Sequence, residues 1–286
     1  MKTICLFLFA FSIVACKTEM DTVRNTTHNN QVNPPGTAWL RDSVYMDQCE
    51  VSNVDYVEYL TWLQKNDAAD YTAALPDTLI WDNQPFYNDP YRLYYLRHPA
   101  YANYPLVGVS YDQAVAFCKW RTARVKELIA AKGKINSKEY AIYKNFEYRL
   151  PTEQEWEYAA AGKFNLQPGE PVVIYEYTCS DSVCYSPEEC GFLSIRDKHH
   201  KLKVWVKEAA ISEDNSDIFI PVKSKSPNGY GYYNMIGNVA EMVSQKGVSK
   251  GGSAFNALKD CDISKEGAYT KPGATLGFRC VCVVHG

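Results

Sequence analysis

Residues 1–16 constrain this chain more than any other stretch. Lys2 gives a positive start, Ile4 to Phe11 is an apolar run, and Ser12-Ile13-Val14-Ala15 leads directly into Cys16. That is the layout of an export signal, too short and wrongly flanked for a membrane-spanning helix. A cysteine directly after a small residue is what a bacterial lipoprotein offers for modification. Its thiol takes a diacylglycerol and its freed amine a further acyl chain. Each buried methylene contributes about 0.8 kcal/mol, so two or three chains hold a protein on a membrane. The bland alternative is a simple signal peptide with an incidental cysteine. No later apolar run is long enough to span a bilayer. The chain therefore divides into a signal over 1–15, the lipidated Cys16 with a flexible tether over 16–33, and one folded domain over 34–286. The tether, centred on Asn25-Thr26-Thr27-His28-Asn29-Asn30, offers too little apolar surface to fold by itself.

An exported chain folds under oxidising conditions, and that changes the meaning of its cysteines. Ten are present. Cys5 lies in the signal and Cys16 at the lipid site. Cys49, Cys118, Cys179, Cys184, Cys190, Cys261, Cys280 and Cys282 are left, an even set that favours disulfides. With 30 basic and 33 acidic residues the net charge is −3. That balance argues against nucleic acid as the partner, because phosphate binding needs a basic face. The 22 tyrosines suit a loop-rich fold with contact surfaces.

Short capped helices stand between long irregular stretches. Val44-Tyr45-Met46-Asp47 is a strand candidate. Ser52 caps a helix with Asp55 in its first turn, and Tyr56, Leu60 and Leu63 recur at helical spacing. Ser110 and Gln113 form a capping box for a second helix, whose buried face is Ala114, Ala116-Phe117-Cys118 and Trp120. Thr152 and Glu155 do the same for a third, with Gly162 placed to stop it. Leu75 to Tyr104 forms an aromatic loop. Asn165 to Gly229 is a second irregular stretch, with a basic run Lys198-His199-His200-Lys201 and an acidic patch Ser212-Glu213-Asp214-Asn215.

Several motifs follow one another in a fixed order. They are Glu50-Val51-Ser52-Asn53, Val107-Gly108-Val109-Ser110 with Ala116-Phe117-Cys118-Lys119-Trp120, Arg149-Leu150-Pro151-Thr152-Glu153-Gln154-Glu155-Trp156-Glu157-Tyr158-Ala159-Ala160, and the run from Asn228 to Glu241. Lys250-Gly251-Gly252-Ser253 and Leu276-Gly277-Phe278-Arg279-Cys280 close the series. Together they resemble the formylglycine-generating enzyme, or sulfatase-modifying factor, domain over roughly residues 34–284. The resemblance implies an α+β fold with a C-type-lectin-like core, little regular secondary structure, and staples of disulfide and calcium. Leu75-Pro76-Asp77-Thr78, the run Tyr94 to Tyr101, and Phe117-Cys118-Lys119-Trp120-Arg121-Thr122 are similar to lipoproteins of gliding motility and type IX protein secretion. That similarity implies an outer-membrane lipoprotein, on the periplasmic side or the cell surface, whose partners are envelope or secretion-system proteins.

The family's enzymes oxidise a client cysteine with oxygen at a copper(I) ion held by two thiolates five residues apart, after the Gly-Gly-Ser motif. Soft thiolates suit that ion. Counting without a gap, Asn256 stands at the first cysteine and Cys261 at the second. A carboxamide is a hard, neutral donor, so neither copper nor formylglycine-generating activity is expected. Two readings compete with a non-catalytic scaffold: an oxidase using Cys261, and a lectin-like binding module; Cys282 reaching Cys261 would rebuild a two-thiol site, but Cys282 is more simply a disulfide partner. His199-His200 read as solvated, and Glu153, Glu155 and Glu157 as helix electrostatics. The resemblance also implies a calcium site at Asn234, Gly237, Val239 and Glu241, where the alternative is a turn without an ion. It pairs Cys118 with Cys280. In the aromatic loop, Trp81, Tyr94 and Tyr95 either face a partner, where aromatics are enriched, or fill the domain's own core.

Overall fold

In the computed structural model, residues 31–82, 90–133, 137–162, 219–224, 227–256, 261 and 263–285 are described in full, and 27–28, 89, 193–196 and 202–205 as backbone. The signal, Cys16, Cys179, Cys184, Cys190, the basic run at 198–201 and the acidic patch at 212–215 lie outside the described residues.

The N-terminal part runs β1 (Thr27–His28), β2 (Gln31–Val32), β3 (Thr37–Arg41), β4 (Val44–Asp47), α1 (Asn53–Asn66), α2 (Ala68–Ala74), α3 (Asp89–Tyr94) and α4 (Tyr111–Ala131). Then come β5 (Phe146–Arg149), α5 (Glu153–Ala160), β6 (Leu193–Arg196), β7 (Leu202–Trp205), β8 (Ala240–Met242), β9 (Val248–Lys250), β10 (Gly267–Ala268), β11 (Leu276–Gly277) and β12 (Val281–Val284). Order begins earlier than the tether reading allows. β1 pairs with β2, Asn33 is buried, and its carbonyl accepts a hydrogen bond from the Tyr143 hydroxyl at 2.8 Å. That bond anchors the polar segment to the domain.

All three anticipated caps form. Ser52 with Asp55, Ser110 with Gln113 and Thr152 with Glu155 each close a capping box, satisfying amides that the first helical turn leaves without partners. The aromatic loop is more regular than expected. It contains α3 and two single-turn 3-10 helices, at Thr78–Trp81 and Pro99–Tyr101.

Two four-stranded sheets organise the core. One has the order β3-β4-β12-β5 and the other β10-β9-β8-β11. The last strand, β12, is central in its sheet, so the chain end ties its beginning to its middle. Alternation along β12 separates two apolar clusters. Val281 faces Met46, Ala38 and Trp156, while Cys282 faces Tyr45, Tyr148 and Phe146. A third cluster gathers Trp81, Tyr91, Tyr95, Val107 and Phe219. Among the described residues no helix is long and apolar enough to cross a membrane.

Candidate functional site

The loop after β9 carries the residues that would hold copper. Gly251 and Gly252 adopt φ of +87° and +64°, where a side chain is strained. Space forbids one as well. A Cβ on Gly251 would lie 2.9 Å from the Met235 carbonyl oxygen and from a Trp156 ring carbon, and one on Gly252 would lie 2.5 Å from Sγ of Cys261. The glycines let the loop lie flat on α5 and on Cys261. Ser253 to Asn256 then closes a tight turn, with the Asn256 amide donating to the Ser253 carbonyl at 2.9 Å. Oδ1 of Asn256 accepts from both the amide and the hydroxyl of Ser253, each at 2.8 Å. The asparagine is exposed, and its oxygen is spent on the turn.

Cys261 is 4% exposed and packs in the cluster around Trp156, its sulfur against Gly252. Cys282 lies in the other cluster, across the sheet. The structure keeps the two thiols apart: Cys261 shares a cluster with Val281, and β12 sends Val281 and Cys282 to opposite faces. The Asn256–Cys261 donor set, one carboxamide and one buried thiol, does not fit copper(I). Among the described residues no group of three or more histidine, cysteine or acidic side chains is placed to hold a metal.

Beneath this loop lies a buried charge network. Arg279 is fully buried. Its Nε donates to Oε2 of Glu241 at 2.7 Å and its Nη2 to Oε1 at 2.5 Å. Trp156 Nε1 donates to the same Oε2 at 2.8 Å, and Nη2 of Arg279 also reaches the Tyr233 carbonyl at 2.9 Å. Burial works against the arginine's charge, and the Glu241 carboxylate more than offsets it, so its pKa lies above the usual arginine value. Glu50, 1% exposed, accepts from the side-chain amides of Asn238 at 2.9 Å and Asn234 at 3.2 Å. Burial lifts its carboxyl to about 7; Arg279 opposes the rise and Glu241 adds to it.

Two of the anticipated calcium ligands, Asn234 and Glu241, fall in this network. Asn234, Gly237 and Asn238 all have positive φ, which bends the 234–238 loop sharply. The carboxylate of Glu241, however, has both oxygens held by Arg279 and Trp156, and the Asn234 amide is turned to Glu50 and to the Val222 carbonyl. The guanidinium stands where the ion's charge is needed, so these side chains do not fit calcium with Glu241 as the acidic ligand.

The other expected residues sort clearly. The sulfurs of Cys118 and Cys280, both buried, are 3.5 Å apart, so the two residues implied as a pair are neighbours. Glu155 binds Arg149 through two bonds of 2.8 and 2.7 Å, while Glu157 and Glu153 flank the buried Lys250 ammonium at 2.7 and 3.9 Å. All three helix glutamates are thus committed to ion pairs. Trp81 and Tyr95, each 3% exposed, are core residues with ring centroids 5.0 Å apart, and the Tyr95 hydroxyl donates to the Pro105 carbonyl at 2.7 Å. Their reading as partner-facing residues is corrected, because the rings supply the third cluster. Tyr94 stays exposed, alongside Leu93 and Leu79. Sequence reasoning missed the Arg279–Glu241–Trp156 centre. All three residues lie within the quoted motifs, but nothing in local spacing joins residues 38 and 85 positions apart.

A loop-rich α+β domain, closed by its last strand around a buried arginine–carboxylate centre, is the class these features define. The family described as the Sulfatase-modifying factor enzyme 1-like domain matches residues 12–284, and the chain belongs to that family. It is 26% identical over 307 residues to the Formylglycine-generating enzyme of Mus musculus, covering 89% of this chain and 71% of that one. It is 25% identical over 308 residues to the protein of the same name from Bos taurus, covering 89% and 70%. Among solved structures, Treponema denticola variable protein 1 gives a distant likeness, with a TM-score of 0.44, 18% identity and 84% of each chain covered.

Proposed function

We propose that this chain is a non-catalytic member of its family. It is an outer-membrane lipoprotein held by acyl chains on Cys16, and it serves as a structural or interaction component of a gliding-motility or type IX protein secretion assembly. The observation that carries the reading is the pairing of Asn256 with Ser253. The side chain at the first copper position is a hard oxygen donor already engaged in a turn, and the thiol at the second is packed against Gly252. Copper(I) needs two soft donors facing a substrate groove. The link to motility and secretion is supported by the stretches at 75–78, 94–101 and 117–122, and the exposed Tyr94 is the residue we assign to an envelope or secretion-system partner. A second reading has support in the names of the mammalian relatives: a copper-dependent formylglycine-generating oxidase acting through Cys261.

Titrating the reduced full chain with copper(I) separates the two. The scaffold reading expects no stoichiometric binding and no aldehyde on a cysteine-containing sulfatase peptide exposed to oxygen. Tight one-to-one binding with aldehyde formation would establish the oxidase. For the assembly itself, pull-downs from gently solubilised membranes should lose their partners in Tyr94→Ala, and Cys16→Ser should move the protein out of the membrane fraction.

A further inference from the structure

We infer that a lysine-rich face at the C-terminal end of α4 lies on the anionic headgroups of the bilayer to which the chain is anchored. The inference rests on the lipid anchor at Cys16 and adds the orientation of the domain on the membrane. From Val125 to Asn145 the sequence holds five lysines and two glutamates, in a chain whose net charge is −3. Lys126, Lys132, Lys138 and Lys144 are exposed, and Lys134 lies outside the described residues. Among the described residues, none of the four is ion-paired with a carboxylate. The acidic groups nearby are mostly taken: Glu127 binds Arg124 at 2.6 Å, and Glu147 lies 3.5 Å from the His285 ring nitrogen. A positive surface is left, with Glu139 as its main opposing charge.

The chain enters the domain at this same face. A 3-10 helix, Lys138–Lys144, packs against β2, and its Tyr143 hydroxyl donates to the Asn33 carbonyl at 2.8 Å. The Lys126 ammonium stands 5.5 Å from the centroid of the Phe146 ring, just beyond that helix. Eleven residues separate Cys16 from Thr27, where β1 begins, so even at full extension the lipid attachment lies within about 40 Å of β1. A single acyl chain binds a membrane only marginally, and a basic surface beside it supplies a second attraction to anionic lipid. The other end of the domain then points away. α4 has 21 residues and is about 30 Å long. Tyr56 stacks on Phe117 and Arg124 sits over Trp62, so α1 runs beside α4 in the same sense. At their N-terminal ends, Asn53 donates to the Tyr95 carbonyl at 2.9 Å and Gln113 to the Leu75 carbonyl at 3.0 Å. The aromatic segment that carries Tyr94 is thus held a helix length from the lysines, turned from the bilayer toward a partner.

Amine labelling of the acylated protein, purified from membranes and added to vesicles, tests this. One set of vesicles contains phosphatidylethanolamine with phosphatidylglycerol, the other phosphatidylcholine alone. On the anionic vesicles Lys126, Lys132, Lys138 and Lys144 should react several-fold more slowly than on the neutral ones, read by mass spectrometry. Salt should remove the difference, because the screening length falls from about 10 Å at 0.1 M to about 3 Å at 1 M. Lys246, paired with Asp112 in the first turn of α4, should react equally on both. Equal labelling of the four lysines on the two vesicles, or protection that survives the salt, would overturn the inference. The mass of the purified protein reports its acyl chains separately. A protein without them overturns the anchor and this inference together, whereas an acylated protein whose lysines label alike overturns the inference alone.

Discussion

Replacing Gly252 with alanine asks directly whether the Cys261 sulfur faces the core. The residue sits at φ +64°, where an L side chain costs about 1–2 kcal/mol. The new Cβ would also lie 2.5 Å from Sγ of Cys261 and 3.2 Å from its Cα and Cβ. Overpacking of a filled interior costs about 1–3 kcal/mol. Gly252→Ala should therefore destabilise the chain by about 2–5 kcal/mol, read from the midpoint of urea unfolding. Cys261→Ala alone should cost about 1 kcal/mol, the loss of one small buried group. In the double variant the sulfur is gone and only the backbone strain and the milder 3.2 Å contacts persist. Its cost should fall short of the sum of the two singles by about 1–3 kcal/mol, a coupling expected only for groups in contact. Additivity within about 0.5 kcal/mol would mean that the sulfur points elsewhere, and the non-catalytic reading would lose its geometric support.

Glu50 should make stability depend on pH. Its carboxyl titrates near 4.5 when unfolded and about 7 when folded, so the folded state holds a proton that the unfolded state has released. Stability then falls as pH climbs through that window, by about 3 kcal/mol in all, and levels off above it; Glu50→Gln should flatten the slope in unfolding measured across the window. Chelation of calcium should leave the melting temperature unchanged, because Arg279 already holds the Glu241 carboxylate; a clear drop, reversed by added calcium, would restore the ion. Tyr95→Ala should cost about 3–5 kcal/mol as a loss from the core, whereas Tyr94→Ala should change stability by less than about 0.5 kcal/mol; equal costs in denaturant would contradict the burial of one ring and the exposure of the other.

Much of the fold was legible because its signals are local. Ser52, Ser110 and Thr152 announce their helices through bonds spanning three residues, and the strand at Val44–Asp47 shows in composition alone. α2 went unread: its cap, Asp67, is shared with the end of α1 and leaves no loop between the two helices. The aromatic segment was ambiguous for a physical reason. Tyrosine joins an apolar ring to a polar tip and serves a core or a contact surface equally well, and only the distant packing of Phe219 on Trp81 and Tyr95 decides which. The calcium expectation is of a different kind. Spacing placed Glu241 in register with the family pattern but carried no trace of Arg279, which arrives from the chain end to take its charge.

A thiol at position 256 would not by itself build a two-thiol site. A cysteine at 256 would bring a sulfur that accepts hydrogen bonds only weakly, so the Ser253 amide and hydroxyl would both lose the acceptor that holds the turn. Cys261 would meanwhile stay packed between Gly252 and the Trp156 cluster. Two soft donors in the sequence are not yet two donors facing one ion. For two sulfurs to face one ion here, the turn would have to open and the buried sulfur rotate out of contact with a glycine whose conformation is itself fitted to it. Loop geometry and donor chemistry are therefore tied together here, while the arginine–carboxylate centre beneath them depends on neither.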